Sequence, residues 1–166
     1  MSDRPNLYEL LCREHRGAGT PLELWYELVS CHVHVGRRLS RHLKSNFDMQ
    51  LPSCDAMCAL ARFPEGLTMG KLAGLLVVSN GNVTGIIRRL EAAGLVSREA
   101  ARADKRVFVV RLTRRGRGMW RKLERAYRCA ITERLLAGVG AAEARGIASR
   151  LRKLKRRLAG PGVPGG

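Results

Sequence analysis

In "VSNGNVTGIIRRLEAAGLV", residues 78–96, polar caps, bare glycines and paired arginines follow one another. On a helix, Val83, Ile86, Ile87 and Leu90 fall within about 60 degrees of one line. Gly81, Gly85, Arg88 and Ala92 fall opposite, with Thr84 and Arg89 at the flanks. Ser79, Asn80 and Asn82 surround the helix start, where backbone amides lack intrahelical partners. Such a start takes phosphates on its amides, and a smooth floor lets a helix press into a major groove. Arg88 and Arg89 then supply contacts to base edges or phosphates further along. Each glycine costs up to about 1 kcal/mol relative to alanine in a helix interior, so something else must favour the bare strip. The blander reading is a surface helix whose glycines merely let two backbones touch.

A second group lies in "AARADKR", residues 100–106. Asp104 and Arg106 are two apart, on one side of an extended chain. A carboxylate there can hold the guanidinium in one pose, which suits a narrow minor groove. Arg102 and Lys105 can meet phosphates. The alternative is a solvated turn with a weak surface ion pair.

Other chemistry is poorly supported. No nucleophile elbow, phosphate loop or paired carboxylates occur, so no enzyme and no cofactor are expected. The five cysteines, Cys12, Cys31, Cys54, Cys58 and Cys129, form no C-x-x-C. An odd number without a polar-to-apolar leader predicts reduced thiols and a cytoplasmic protein. His32 and His34 do not face together on a helix, and no metal site is expected. Cys12, with Tyr8 nearby, is the position for a thiol redox sensor; the alternative is a small core filler. Trp25, His32, Met57 and Trp120 are candidates to line an effector pocket, or plain core.

These groups need elements to hold them. Thr20, Pro21 and Glu23 read as a helix start. Apolar residues then recur from Leu22 through Trp25, Val29, Val35 and Leu39 to Leu43, a period near 3.5 over about six turns. Residues 1–19 are expected to be a flexible arm. Pro52 opens a helix to about Arg62. Thr68 caps a short helix over 69–76, with Leu72, Leu75 and Leu76 inward. Ser79 caps a helix over 80–93, which Gly94 ends. The period then becomes two, over 95–98 and 107–112, with 100–106 as the hairpin tip. Thr113 caps a helix striped by Met119, Trp120, Leu123, Tyr127, Ile131 and Leu135. After Gly140 a last helix carries Ile147, Leu151, Leu154 and Leu158.

The predicted fold is mainly α with a small β-wing, a winged helix-turn-helix with long helices at both ends. The expected divisions are 1–19, a 20–50 dimerisation helix, the 51–113 DNA-binding region, 114–159 dimerisation helices and a disordered 160–166 tail. Among 166 residues, 31 Lys+Arg against 14 Asp+Glu give a formal charge of +17. That excess points to a polyanionic partner, and alone it equally permits a non-sequence-specific nucleoid protein. The longest aliphatic run, residues 72–78, is far short of a membrane span.

The stretch from "LPSCDAMCAL" through "VSNGNVTGIIRRLEAAGLV" to the D-x-R…V-x-LT-x-x-G pattern of Asp104, Arg106, Leu112, Thr113 and Gly116 resembles the MarR (multiple antibiotic resistance regulator) family. With the flanking helices the likeness covers about residues 20–158. The resemblance implies a homodimer joined through its first and last two helices, a palindromic operator, and a small effector that changes the spacing of the reading heads. It implies groove reading by Ser79, Asn80, Asn82, Thr84 and Arg88, and a minor-groove role for Arg106. Lys105 stands where many members have a second arginine. "VSNGNVTG" resembles a subgroup that represses aromatic-acid catabolism, including members answering to hydroxycinnamoyl-CoA thioesters. The expected protein is thus a repressor released by an aromatic carboxylate or its CoA thioester, with a thiol redox sensor of the same fold as the alternative.

Overall fold

The computed structural model describes residues 6–76, 80–100 and 107–159. Leu7–Glu14 forms α1 and Pro21–Phe47 forms the long α2. α2 starts as predicted, with the Glu23 amide donating to Thr20 Oγ1 at 3.2 Å. It ends at Asp48, whose left-handed φ of 50° lets the chain turn away.

Within the arm expected over 1–19, Leu7–Glu14 is helical. Its start is a full capping box: the Glu9 amide donates to Asn6 Oδ1, and the Asn6 amide donates to the Glu9 carboxylate, both at 3.1 Å. α1 lies against α2 and buries Cys12. His15 meets Tyr26 edge-on, with ring centroids 5.1 Å apart. The loop between the helices is held by Glu23, whose carboxylate accepts from the Gly17 and Gly19 amides, each at 2.7 Å. Those bonds hold its pKa below the ordinary carboxylate value.

Next come α3 (Leu51–Arg62), β1 (Leu67–Thr68), α4 (Met69–Leu76), α5 (Asn80–Ala92), β2 (Val96–Ala100) and β3 (Phe108–Leu112). α6 (Arg114–Cys129) continues through a π-helical turn, Ala130–Leu135, before α7 (Ala141–Leu158). The sequence predicts two strands; the sheet has three, antiparallel, in the order β1-β3-β2. β1 exists because Leu67 pairs opposite Val110. Gly66, at φ 89°, turns the chain into that register, and a Cβ there would sit 2.7 Å from the Val110 carbonyl oxygen.

The core gathers one face of each winged-helix element. Val83, Ile86, Ile87 and Leu90 of α5 are at most 3% exposed and cluster with Met57, Leu60, Leu72, Val110 and Leu112. Leu75 departs from expectation: it is 51% exposed. At 100 degrees per residue it lies about 110 degrees from the middle of the Leu72, Ala73 and Leu76 face. The long outer helices are different. Only Leu39 and Leu43 of the α2 stripe are buried, and α7 buries nothing. Leu28, Val29 and Val35 of α2 and Leu154 of α7 are half-buried, while Leu22 and Trp25 of α2 and Ile147, Leu151 and Leu158 of α7 stay exposed.

One junction locks these parts together. The Leu95 amide donates to the Leu90 carbonyl at 2.9 Å across Gly94, which is left-handed at φ 67°. Thr113 Oγ1 donates to the Gly94 carbonyl at 2.7 Å and accepts from the Gly116 amide at 3.0 Å. The Thr113 amide donates to the Leu95 carbonyl at 3.0 Å. Gly116 passes so close that a Cβ on it would stand 1.9 Å from the Leu95 oxygen. Gly118, one half-turn on, faces open space. Gly116→Ala is therefore expected to destabilise by about 1–3 kcal/mol or more, lowering Tm by roughly 2–4 °C per kcal/mol. Gly118→Ala should raise stability by about 0.5–1 kcal/mol. Thermal melting of the two variants beside the parent checks both signs.

Candidate nucleic-acid interface and effector cavity

α4 and α5 make the helix-turn-helix, and α5 presents the face that the sequence singles out. A Cβ at Gly81 would meet nothing within 4 Å, and one at Gly85 only the Arg89 Nη1 at 3.8 Å. Among the described residues, the glycines therefore do not serve a backbone contact within the chain. Asn82, Thr84, Arg88 and Arg89 are exposed around them. The opposite face buries four aliphatic side chains, each worth about 1.5–3 kcal/mol. That outweighs the roughly 2 kcal/mol the two glycines cost, so α5 is held by its inner face and its outer face is free to stay bare.

The electrostatics agree. The first turn of α5 has no acidic residue, although carboxylates are favoured at helix starts. No carboxylate within that turn offsets its partly positive end. Ser79 lies outside the described residues, as does the side chain of Asn80. So do Arg102, Asp104, Lys105 and Arg106, the residues expected at the wing tip. The stem that leads to them is built: Arg111 Nη1 donates to Glu99 Oε2 at 2.9 Å, and the Arg98 guanidinium lies 5.0 Å from the centre of the Phe108 ring.

The four residues suggested for an effector pocket are not brought together. Trp25 and His32 are exposed on α2, and Met57 is fully buried in the core of the winged-helix domain. Trp120 does line a cavity, of about 400 Å³, between α3 and α6. Cys54, Cys58 and Arg62 come from α3, and Glu124, Tyr127 and Arg128 from α6. Arg62 is steadied by donating to the Cys58 carbonyl at 3.0 Å. Partial burial pushes Tyr127 up from the ordinary phenol value, with the Asp55 charge adding to it. The groove continues along α6: a second cavity of about 530 Å³ shares Glu124 and Arg128. A third, of about 910 Å³, carries Arg115, Arg121, Lys122 and Arg125. Sequence reasoning missed Arg62 and Arg128 because each reads as an ordinary solvated charge.

The thiols are arranged against redox chemistry at two positions. Cys54 is 1% exposed, and burial pushes its thiol to about 12. Cys12, the position weighed for a sensor, is also raised, first by burial and then by the Glu27 charge. A reactive cysteine needs the reverse, an accessible site that favours thiolate.

Comparison with known proteins adds four findings. The model of the MarR family matches residues 47–107. A MarR family transcriptional regulator from Silicibacter pomeroyi is 32% identical and superposes with a TM-score of 0.71, over 88% of this chain and 97% of that one. A MarR family protein of Mycobacterium tuberculosis, solved in complex with salicylic acid, is 30% identical with a TM-score of 0.64, over 79% of this chain and 95% of that one. The transcriptional activatory protein BadR of Rhodopseudomonas palustris is 40% identical over 59 residues, 36% of this chain and 34% of its own length. The chain spans about half or less of the curated relatives it matches, 49% and 34% of their lengths.

Because the outer face of α5 is open, Gly81→Ala and Gly85→Ala are each expected to raise stability by about 0.5–1 kcal/mol. Chemical denaturation read by circular dichroism checks this; a loss of stability would mean that the strip is packed.

Proposed function

We propose, from the premise that this chain belongs to the MarR family of transcriptional regulators, that it reads a palindromic operator as a homodimer and releases it when a small aromatic acid binds. The observation that carries the reading is the open, glycine-floored outer face of α5. Amides at the helix start meet phosphates, the bare floor permits close approach to the groove, and Arg88 and Arg89 reach base edges or the backbone. Ser79, Asn80, Asn82 and Thr84 supply further polar contacts. Arg106 enters the adjacent minor groove, posed by Asp104, while Arg102 and Lys105 meet phosphates.

The dimer follows from surface chemistry. Leu22 is 45% and Trp25 56% exposed on α2, and Ile147 is 47% and Leu151 41% exposed on α7. A second copy covers both stripes and sets two recognition helices about one turn of DNA apart, roughly 34–36 Å. Two-fold symmetry of the protein then asks for a palindrome.

The cavity between α3 and α6 is the effector site in this reading. Trp120 and Tyr127 offer flat apolar surface, and Arg62 and Arg128 offer guanidiniums to a carboxylate. The salicylic acid in the Mycobacterium tuberculosis relative supports the same ligand class. The basic groove along α6 has the charge to take the phosphates of a CoA thioester. A ligand wedged between α3 and α6 acts on the element that links reading head and dimer arms, so it changes the distance between the two heads. Repression with release on binding is the coupling that results.

Three experiments test this. Gly85→Leu should abolish discrimination between operator and scrambled duplex, a ratio expected to be about a thousandfold or more, while melting stays near that of the parent. Arg106→Ala should weaken operator binding and leave the dimer intact; equal affinity removes the wing from the interface. Calorimetric titration with benzoate, salicylate and an aromatic acyl-CoA should give binding that Arg62→Ala and Arg128→Ala each weaken by about tenfold or more. Unchanged affinity in both variants would place the effector elsewhere.

A further inference from the structure

α7 carries seven cations, Arg145, Arg150, Arg152, Lys153, Lys155, Arg156 and Arg157, against one acid, Glu143. All seven are exposed, and among the described residues none makes an ion pair. Their distribution around the helix is uneven. Taking 100 degrees per residue, Ile147, Leu151, Leu154 and Leu158 form one stripe about 60 degrees wide. Arg145, Arg152 and Arg156 lie opposite it, within about 40 degrees of one another, with Lys153 beside them. A partner covering the apolar stripe therefore leaves this basic strip facing outward.

The strip is also separated from the reading head along the chain. The first turn of α6 is bonded to Gly94, at the end of α5. From there α6 and its π-helical turn run 22 residues, Arg114 to Leu135, before α7 begins. At 1.5 Å per residue that is roughly 30 Å. α7 makes no substantial packing against the winged-helix elements of its own chain. Such a concentration of unpaired like charge destabilises the helix unless an anion neutralises it.

We propose that the outer strip of α7 is a second, sequence-independent contact for duplex DNA, so that one molecule holds its operator at α5 and another duplex at α7. Charge complementarity favours this occupant. Duplex DNA presents one negative charge per about 1.7 Å of axis, a continuous rail on which a rigid row of arginines lies without needing a specific register. The strip offers no aromatic or aliphatic side chain with which to enter a lipid surface. The contact adds local concentration of DNA around an already bound regulator. It goes beyond operator recognition and does not depend on which sequence α5 reads.

The test uses the full chain already saturated with unlabelled operator duplex. A fluorescent duplex of unrelated sequence is added, and its retention is followed by anisotropy at several salt concentrations. The parent should retain the second duplex. Arg145→Gln/Arg152→Gln/Lys153→Gln/Arg156→Gln should lose it by tenfold or more, with the salt slope falling by about 3.6, near 0.9 per lost phosphate contact. Operator affinity and dimer mass, measured on the same variant, should be unchanged. If operator binding fails, which speaks against the α5 reading alone, the unrelated duplex is titrated onto the free parent and four-fold variant, and equal affinity of the two overturns the present proposal. The proposal is overturned if operator-saturated parent protein retains no second duplex. It is equally overturned if the four-fold variant retains as much, or if vesicles containing phosphatidylserine outcompete the duplex for the strip.

Discussion

The structure depends on the seam where Gly94 and Leu95 meet Thr113 and Gly116. Four backbone segments with different jobs converge there: the end of the recognition helix, both strands of the wing stem and the start of α6. Thr113 is the rivet, donating through its hydroxyl to Gly94 and accepting from Gly116. Close approach, not side-chain packing, makes the seam tight, since a single Cβ at Gly116 would collide with the Leu95 carbonyl. Interiors at crystal-like density transmit displacement instead of absorbing it. Movement of α6 is accordingly passed to α5 and the wing as one rigid unit.

That rigidity would give the effector cavity of the proposed function its leverage. It lies between α3, which belongs to the reading head, and α6, which leaves it. The same helix presents Trp120 to this cavity and to a smaller one beside Leu60, Pro64 and Leu112. Filling space on either side of Trp120 therefore works against a helix that cannot bend at its base. The two faces of α5 divide labour in the same way. Burial of Val83, Ile86, Ile87 and Leu90 supplies several times the free energy that Gly81 and Gly85 forgo, so the outward face is released from any duty to stability.

Much of this is legible in the sequence where local signals agree. α5 has a 3.6-residue apolar period and a glycine at its end, and β3 and α6 follow from alternation and the Thr113 cap. What stayed hidden depends on tertiary partners. β1 is two residues long and has no period to read; it exists only because Val110 lies opposite Leu67. α1 carried a readable signal in Asn6 and Glu9, a capping box, but eight residues are marginal as a helix until α2 is there to cover them. At the site, an apolar stripe cannot say which members face a void: Met57 went to the core and Trp120 to a cavity wall. Arg62 and Arg128 converge from α3 and α6, elements far apart in the chain, and only the fold brings them together.

The protein has two tryptophans, and the fold sends them to different surroundings. Trp25 stands exposed on the α2 stripe, and Trp120 stands half-sheltered at the cavity wall. Indole emission shifts with local polarity, so each ring is a native optical gauge. Under the proposed function, one would register assembly and the other occupancy. Substituting either ring by phenylalanine separates the two signals, and both equilibria become readable in an unlabelled sample.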